Sequence, residues 1–472
     1  MVRLLAACLL LLLVPVASAA GALDAEVRRI SEKGGAGRAL WGVYAVDLKT
    51  GKELAALNDD KLFIPASNRK VVTAALVARA FKGDERIQTA ATAAEVSGAA
   101  ASGVVVHASG DPSWTPALTG GRPGRHMLDR LSRSIAEGGV RRIDGEVLID
   151  TSVYEEASPI PPAWRWDDFA SSYASRPSAI SLDRNLAGLR IEPARAGEPA
   201  RADAGGGEAP FQIVNTSTTG RAGSAPTLQV VASPSGDSVH LSGSLPADAE
   251  PATRSIPMGD PMAVVRGELR AALQRAGIEF SGPVRVADAR QPRGKVIGAI
   301  EGSPMADIVR ECLQDSDNFL AESLYLLASA RMFQRASYRA SHEAEARYWK
   351  RVGVPEDHFL ASDGSGLSRE NLVTPRALVA LLRDMRETDW FVDALPVSGR
   401  SGTLRYRLSE NGLAGRVRAK TGTLDTAGAL TGYIRTASGR EIAFAVLANH
   451  HTCSSNTIRA RIDEIVELLA RQ

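Results

Sequence analysis

Lysine is scarce in this 472-residue chain. Nine lysines, at positions 33, 49, 52, 61, 70, 82, 295, 350 and 420, leave 47 arginines within a total of 56 basic residues. Arginine keeps its charge inside proteins, so a site that needs a titratable amine must draw on those nine. Cysteine is scarcer still, with Cys8, Cys312 and Cys453 the three residues present. Cys8 lies in an apolar leader, and the other two are too few for a disulfide framework. An oxidising compartment permits a bridge between them, and two buried thiols are the plainer alternative. Past the leader, no stretch approaches the ~18 apolar residues that a membrane span requires. Gly-x-Ser-x-Gly and His-Glu-x-x-His are both missing, and the seven histidines show no ligand spacing beyond the adjacent His450 and His451. Chymotrypsin-like and metal-dependent hydrolysis therefore find no support, and no cofactor is expected. A net charge of +2, with aromatic residues that do not interleave with basic ones, sets nucleic acid aside.

The leader is the first thing present. Arg3, an apolar run from Leu4 to Val16 and the small residues Ala17-Ser18-Ala19 predict a secretory signal over residues 1–20. Leu5-Ala6-Ala7-Cys8 looks like a lipoprotein box, but cleavage there would leave too short a core. The protein is expected beyond the cytoplasmic membrane, in the periplasm or cell-wall space, with no transmembrane anchor and at most a peripheral association with a membrane. A hydrophobic fraction of 44% and a charged fraction of 23% are those of a globular protein. The length predicts two or three domains.

Pro65-Ala66-Ser67-Asn68-Arg69-Lys70 opens a run, Val71 to Ala78, that is apolar nearly all round, the pattern of a buried helix. Ser67 and Lys70 fall on one face. Serine is a weak nucleophile that needs a base. Lysine can be that base only when desolvation or nearby positive charge lowers its pKa. Of the nine lysines only Lys70 has serine three residues before it. On the tetrad alone, a surface Ser and Lys at helical spacing is the competing reading.

In chain order, Ala39–Leu48 and Glu53–Leu57 read as a hairpin. From Gly83 to Gly294 there is no lysine, and glycine, alanine and proline are dense. Strands are expected at 104–107 and 145–150, helices at 127–138 and 261–276, and a solvated loop at 194–208. This stretch reads as a body inserted into the first domain. Helices at 305–313 and 319–331 flank Ser316-Asp317-Asn318, whose hydroxyl and amide point into a cleft, or else cap a helix. Arg418-Ala419-Lys420-Thr421-Gly422-Thr423 leads into strands at 428–436 and 441–448. The last helix, 457–470, carries Ile458, Ile462, Ile465, Val466 and Leu469 at helical spacing, a core helix docking on that sheet.

Ser67-x-x-Lys70, Ser316-Asp317-Asn318 and Lys420-Thr421-Gly422, in this order, resemble the penicillin-binding proteins and serine β-lactamases. The long separation between the first two resembles the class C low-molecular-mass penicillin-binding proteins, the D-alanyl-D-alanine carboxypeptidase/endopeptidase family. Ser109-Gly110-Asp111-Pro112, Ile143–Asp150, Trp164–Asp168, Ser181–Asn185, Asp363–Ser368 and Gly402-Thr403-Leu404 are similar to other blocks of that family. The likeness extends over essentially the whole mature chain. It implies a multidomain α/β (α+β) fold: a β-lactamase-like transpeptidase body with an antiparallel sheet and a helical subdomain. That body, 21–95 and 290–472, would be interrupted by a mainly-β insertion, 96–289, of two nested domains. Arg69 departs from the family's usual uncharged residue, and either depresses the pKa of Lys70 or turns away to a carboxylate. Trp114 departs from a common leucine.

The resemblance also implies a mechanism. Lys70 would deprotonate Ser67, which attacks the penultimate D-alanine carbonyl of a peptidoglycan stem peptide. The backbone N–H groups of Ser67 and Thr423 would hold the oxyanion. Ser316 would relay a proton to the leaving amine, Asn318 fix the substrate backbone, and Lys420, Thr421, Gly422 and Thr423 line the seat of the terminal carboxylate. Trp166, Asp168 and Tyr173 would face the stem-peptide side chain, with packing at a domain boundary as the alternative. β-Lactams would acylate the same serine. A β-lactamase or esterase on this fold, and a non-catalytic wall-binding module, are the rival readings.

Overall fold

The computed structural model describes residues 19–205 and 210–472, with side-chain surroundings from residue 23 onward. The expected signal over 1–20 lies almost wholly outside the described residues.

The chain opens with α1 (Ala19–Ser31), β1 (Leu40–Asp47) and β2 (Glu53–Leu57), then α2 (Arg69–Ala80). The insertion contributes β3 (Arg86–Ala93), β4 (Val104–His107), α3 (Arg125–Glu137), β5 (Val147–Asp150), α4 (Pro261–Arg275), β6 (Val284–Val286) and β7 (Lys295–Pro304). Back in the first body come α5 (Met305–Asp315), α6 (Asn318–Phe333), α7 (Tyr338–Arg351) and α8 (Pro375–Met385). The strands β8 (Val417–Leu424), β9 (Ala427–Arg435) and β10 (Glu441–Asn449) and the helix α9 (Ser455–Ala470) close the chain.

The central sheet runs β2-β1-β10-β9-β8, antiparallel throughout, with β8 at its edge. Strands buried on both faces read as continuous apolar runs, and β10 (Ile442 to Ala448) is buried along nearly its whole length. On one face α1 and α9 close the sheet, with Val27, Ile30, Ile458, Ile462 and Ile465 against Phe444 and Val446. This is the docking expected of the last helix. On the other face α8 supplies Leu378, Leu381 and Leu382, and beneath them α2 packs on α6. Both α2 and α6 are buried nearly all round. Each fully buried leucine or isoleucine contributes about 1.5–3 kcal/mol.

The insertion has a sheet of its own, β6-β5-β4-β3-β7. Its bounding strands β3 and β7 pair antiparallel, Ala93 opposite Lys295 and Arg86 opposite Pro304. Both strands lie outside the 96–289 expected of the insertion. Two strands some 200 residues apart in sequence meet only in the folded sheet, so no local pattern marks the junction. Apolar residues of α3 (Leu128, Leu131, Ile135) and α4 (Val265, Leu269, Leu273) close one core here. Residues 186–257 form a smaller β-body between β5 and α4, with a separate core of Leu189, Ile191, Val239, Leu241 and Ile256. The loop expected at 194–208 contains a short strand, Arg201–Asp203, paired with 190–192. Cys312 is buried and Cys453 half-buried, and both are free thiols.

Candidate active site

The nucleophile turn is built by backbone constraint. Ala66 sits at φ 48°, left-handed for a residue that is not glycine, and a single 3-10 turn, Ala66–Asn68, precedes α2. Such a conformation costs on the order of 1–3 kcal/mol and holds only where the surroundings enforce it. They do so from two sides. A Cβ on Gly422 of β8 would lie 2.6 Å from Pro65 O, and one on Gly366 would lie 1.9 Å from Ala66 O. Only glycine lets both segments close on the turn. Asn68, its amide turned so that both atoms are satisfied, donates to Lys420 O and accepts from Leu430 N, which ties the helix start to β8 and β9.

Lys70 is fully buried, with three partners around its Nζ. Ser67 Oγ lies at 3.0 Å, Asn318 Oδ1 at 2.6 Å and the carbonyl oxygen of Ser365 at 2.8 Å. The last two are pure acceptors. A neutral amine has two N–H groups and one lone pair. Both N–H groups are thereby engaged, and the lone pair is left facing the Ser67 hydroxyl. Burial holds the Lys70 pKa below its ordinary 10.5, against the opposing influence of Cys312, Asp363, Glu322 and Asp317.

The second lysine mirrors the first. Lys420 Nζ donates to Ser316 Oγ and to the Thr421 carbonyl. Its pKa is pushed well below the ordinary value by burial and then by Lys70. Ser316 terminates α5 at φ 59°, a left-handed C-cap that turns its hydroxyl out of the helix, while the adjacent Asp317 caps α6 through Leu320 N. The cap reading of this tripeptide is met by Asp317, which leaves the Ser316 hydroxyl facing Lys420. Thr421 Oγ1 donates to Thr403 Oγ1 at 2.9 Å.

A cleft of about 340 Å³ has Ser67, Asn318, Asp168, Tyr173 and Thr423 on its walls. Asp168 is buried, accepts from Arg369 Nη1 at 2.9 Å and from the Tyr173 hydroxyl at 3.1 Å, and so enters the cleft already paired. Trp166 does not join the cleft: it is 73% exposed, whereas Trp164 is buried and donates to Asp363 Oδ2 at 2.8 Å. Arg69 turns away from Lys70. It pairs through both guanidinium nitrogens with Glu345, donates through Nε to Asp363 O and lies over the Tyr325 ring. Trp114 is buried and donates to Asp111.

Sequence reasoning missed Glu322, Asp363, Ser365 and Arg369 as parts of the site. Glu322 accepts from Gly364 N and Ser365 N and thereby fixes the carbonyl that Lys70 uses. Its signal was available: one carboxylate within an otherwise apolar helix, four residues after Asn318.

A family model described as D-Ala-D-Ala carboxypeptidase 3 (S13) matches residues 23–472. The chain is 29% identical to the D-alanyl-D-alanine carboxypeptidase of Actinomadura sp. (strain R39), over 93% of this chain and 83% of that protein. It is 25% identical to the D-alanyl-D-alanine carboxypeptidase DacB of Haemophilus influenzae, over 87% and 85%. The crystal structure of penicillin binding protein 4 (dacB) from Haemophilus influenzae superposes with a TM-score of 0.80 at 25% identity, covering 94% of this chain and 98% of that one.

Proposed function

Since the chain belongs to the D-Ala-D-Ala carboxypeptidase 3 (S13) family, we propose that the Ser67–Lys70 pair carries out the acyl transfer of this serine-type D-alanyl-D-alanine carboxypeptidase. The enzyme acts on peptidoglycan D-Ala-D-Ala termini and binds β-lactams. The observation that carries the residue assignment is the set of three contacts at Lys70 Nζ: with Asn318 Oδ1 and the Ser365 carbonyl taking the N–H groups of a neutral amine, its lone pair would face Ser67 Oγ.

In this reading the Lys70 amine takes the Ser67 proton as Oγ attacks the penultimate D-alanine carbonyl. The backbone N–H groups of Ser67 and Thr423 stabilise the oxyanion. As the C–N bond breaks, Ser316 passes a proton to the departing amine and is reprotonated from the Lys420 side. Asn318 holds the substrate backbone, and Lys420 with Thr421 receives the terminal carboxylate. Water then attacks the acyl-enzyme and releases the shortened stem. Applied to a cross-linked stem peptide, the same steps are endopeptidase cleavage. Asp168 offers a carboxylate to the free amine of a diamino acid, with Arg369 beside it for a carboxylate on the same side chain. We place this activity outside the cytoplasmic membrane, on the strength of the leader; no helix among the described residues is long and apolar enough to cross a membrane.

Intact-mass spectrometry with excess benzylpenicillin tests the assignment. The wild type is expected to gain one β-lactam mass and Ser67→Ala none, and the wild type alone is expected to release D-alanine from a stem peptide. Rapid drug loss without an adduct would favour a β-lactamase. Neither adduct nor turnover would favour a wall-binding module.

A further inference from the structure

A cleft of about 880 Å³ opens in the inserted body between α3 and the end of β7, remote in sequence from the catalytic motifs. Its walls carry Arg86, Arg122, Arg130 and Arg133 with His126, and its acidic members are Glu137 and Glu301. His126, Arg130 and Arg133 follow one another at i, i+4 and i+7, so they share one face of α3. Arg130 and Arg133, three residues apart, are like charges on neighbouring helix positions and destabilise the helix. The structure does not relieve them: among the described residues, none of the four guanidiniums forms an ion pair with a carboxylate.

Their hydrogen bonds go to uncharged groups instead. Arg86 donates to Gly302 O, Arg130 to Met127 Sδ and Glu301 O, Arg133 to Asp129 O, and Arg122 lies against His126 Nε2. Of the two acids on α3, Asp129 is claimed by Arg275 of α4, and Glu137, on the cleft wall, pairs with none of the four guanidiniums. Elsewhere on this body some arginines are paired, as Arg285 is with Glu146, and others are not, as with Arg141, which donates to Ala136 O, and Arg270, which lies over the Phe280 ring. The excess positive field registers on His126, whose pKa is lowered first by partial burial and then by Arg122 and Arg133.

We propose that this cleft binds a multivalent phosphoryl anion, a chain of phosphate groups of the kind found in phosphodiester polymers. Guanidinium forks match the paired oxygens of a phosphate, and several forks along one cleft call for several anionic groups in a row. One orthophosphate would leave most of an 880 Å³ cleft empty. The site is also connected to the chemistry. Gly302 and Ser303 on its floor lead directly into α5, and Ser316 follows that helix about 16 Å further on. A polymer seated here would hold the catalytic body against the matrix that it trims.

The test is calorimetric titration of the full chain with sodium tripolyphosphate, orthophosphate and tricarballylate at matched low ionic strength. Tripolyphosphate is expected to bind at one site, orthophosphate weakly and tricarballylate at least about tenfold less tightly. Arg130→Gln/Arg133→Gln, and separately Arg122→Gln outside the helix, should weaken tripolyphosphate by about tenfold or more, equivalent to about 1.4 kcal/mol. Arg285→Gln should leave it unchanged and Glu301→Gln should tighten it. Benzylpenicillin acylation, unchanged in every variant, reports that the fold is intact. No binding by the wild type, equal binding of tricarballylate, or an equal loss in Arg285→Gln would overturn the proposal. Should the double variant lose acylation, Arg122→Gln alone decides.

Discussion

Lys420 Nζ lies 2.9 Å from Ser316 Oγ, as Lys70 Nζ lies 3.0 Å from Ser67 Oγ, so each buried lysine is set against a serine hydroxyl. Both amines are dry, and the second is further depressed by the first. Two ammonium groups this close oppose each other, and a further anion beside them relieves the repulsion.

Proton uptake on substrate binding follows. The pKa of Lys420 is held well below 10.5 in the free enzyme. A substrate carboxylate beside it favours the charged form, so the pKa rises and a proton is taken up. Titrating Ser67→Ala with a D-Ala-D-Ala peptide near pH 8, in buffers of different ionisation enthalpy, should give net uptake. Lys420→Arg, permanently charged, should abolish it. An absence of uptake in the Ser67→Ala enzyme would contradict the arrangement.

Glu322 sets where the base titrates. Its carboxylate, raised to about 7 by burial, is one of the groups that support the Lys70 ammonium. Acylation needs the neutral amine, so kcat/KM rises with pH as Lys70 loses its proton. Glu322→Gln removes a negative neighbour and makes the ammonium less favourable. The acidic limb should therefore move to lower pH. An unmoved or upward-shifted limb would count against Glu322 as a neighbour that tunes Lys70.

The Arg69–Glu345 pair makes a prediction about stability rather than chemistry. It is almost fully buried, and Glu345 also accepts from Tyr325 and Trp349. Removing one member of such a pair strands a buried charge and costs about 3–5 kcal/mol. Arg69→Met should lower the urea midpoint accordingly, and Arg69→Met/Glu345→Met should recover much of the loss. If the double variant is no better than the single, the stranded-charge account fails.

These three predictions differ in how far the sequence anticipates them. Ser67 and Lys70, and the lysine of Lys420-Thr421-Gly422, were legible because helical spacing and strand position are local, and because a shortage of lysine makes each one informative. The antiparallel body and its last helix were legible for the same reason, from periodicity. Arg69 was ambiguous because its partner lies 276 residues away. Glu322 and Ser365 were hidden because they act through a backbone carbonyl, which no side-chain pattern reports. The pairing of β3 with β7 was not legible because the two strands meet only through the sheet.

The two tryptophans of Trp164-Arg165-Trp166 show the same limit within three residues, and they separate a specificity role from packing. Composition cannot rank them, but burial does: Trp164 is held by Asp363 and Phe169, and Trp166 stands in solvent. Asp168, two residues on, reaches the cleft beside Arg369 and Tyr173. If that carboxylate receives a substrate amine, Asp168→Asn should raise KM about tenfold for stem peptides bearing a free side-chain amine, a loss of about 1.4 kcal/mol. It should leave turnover of an N-acylated analogue and acylation by benzylpenicillin close to wild type. Trp166→Ala should change neither, because its ring touches no wall of the cleft. A KM effect equal for amine and N-acylated peptides would assign Asp168 to holding Arg369 and the cleft wall, and a KM effect in Trp166→Ala would bring that ring back into the substrate's path.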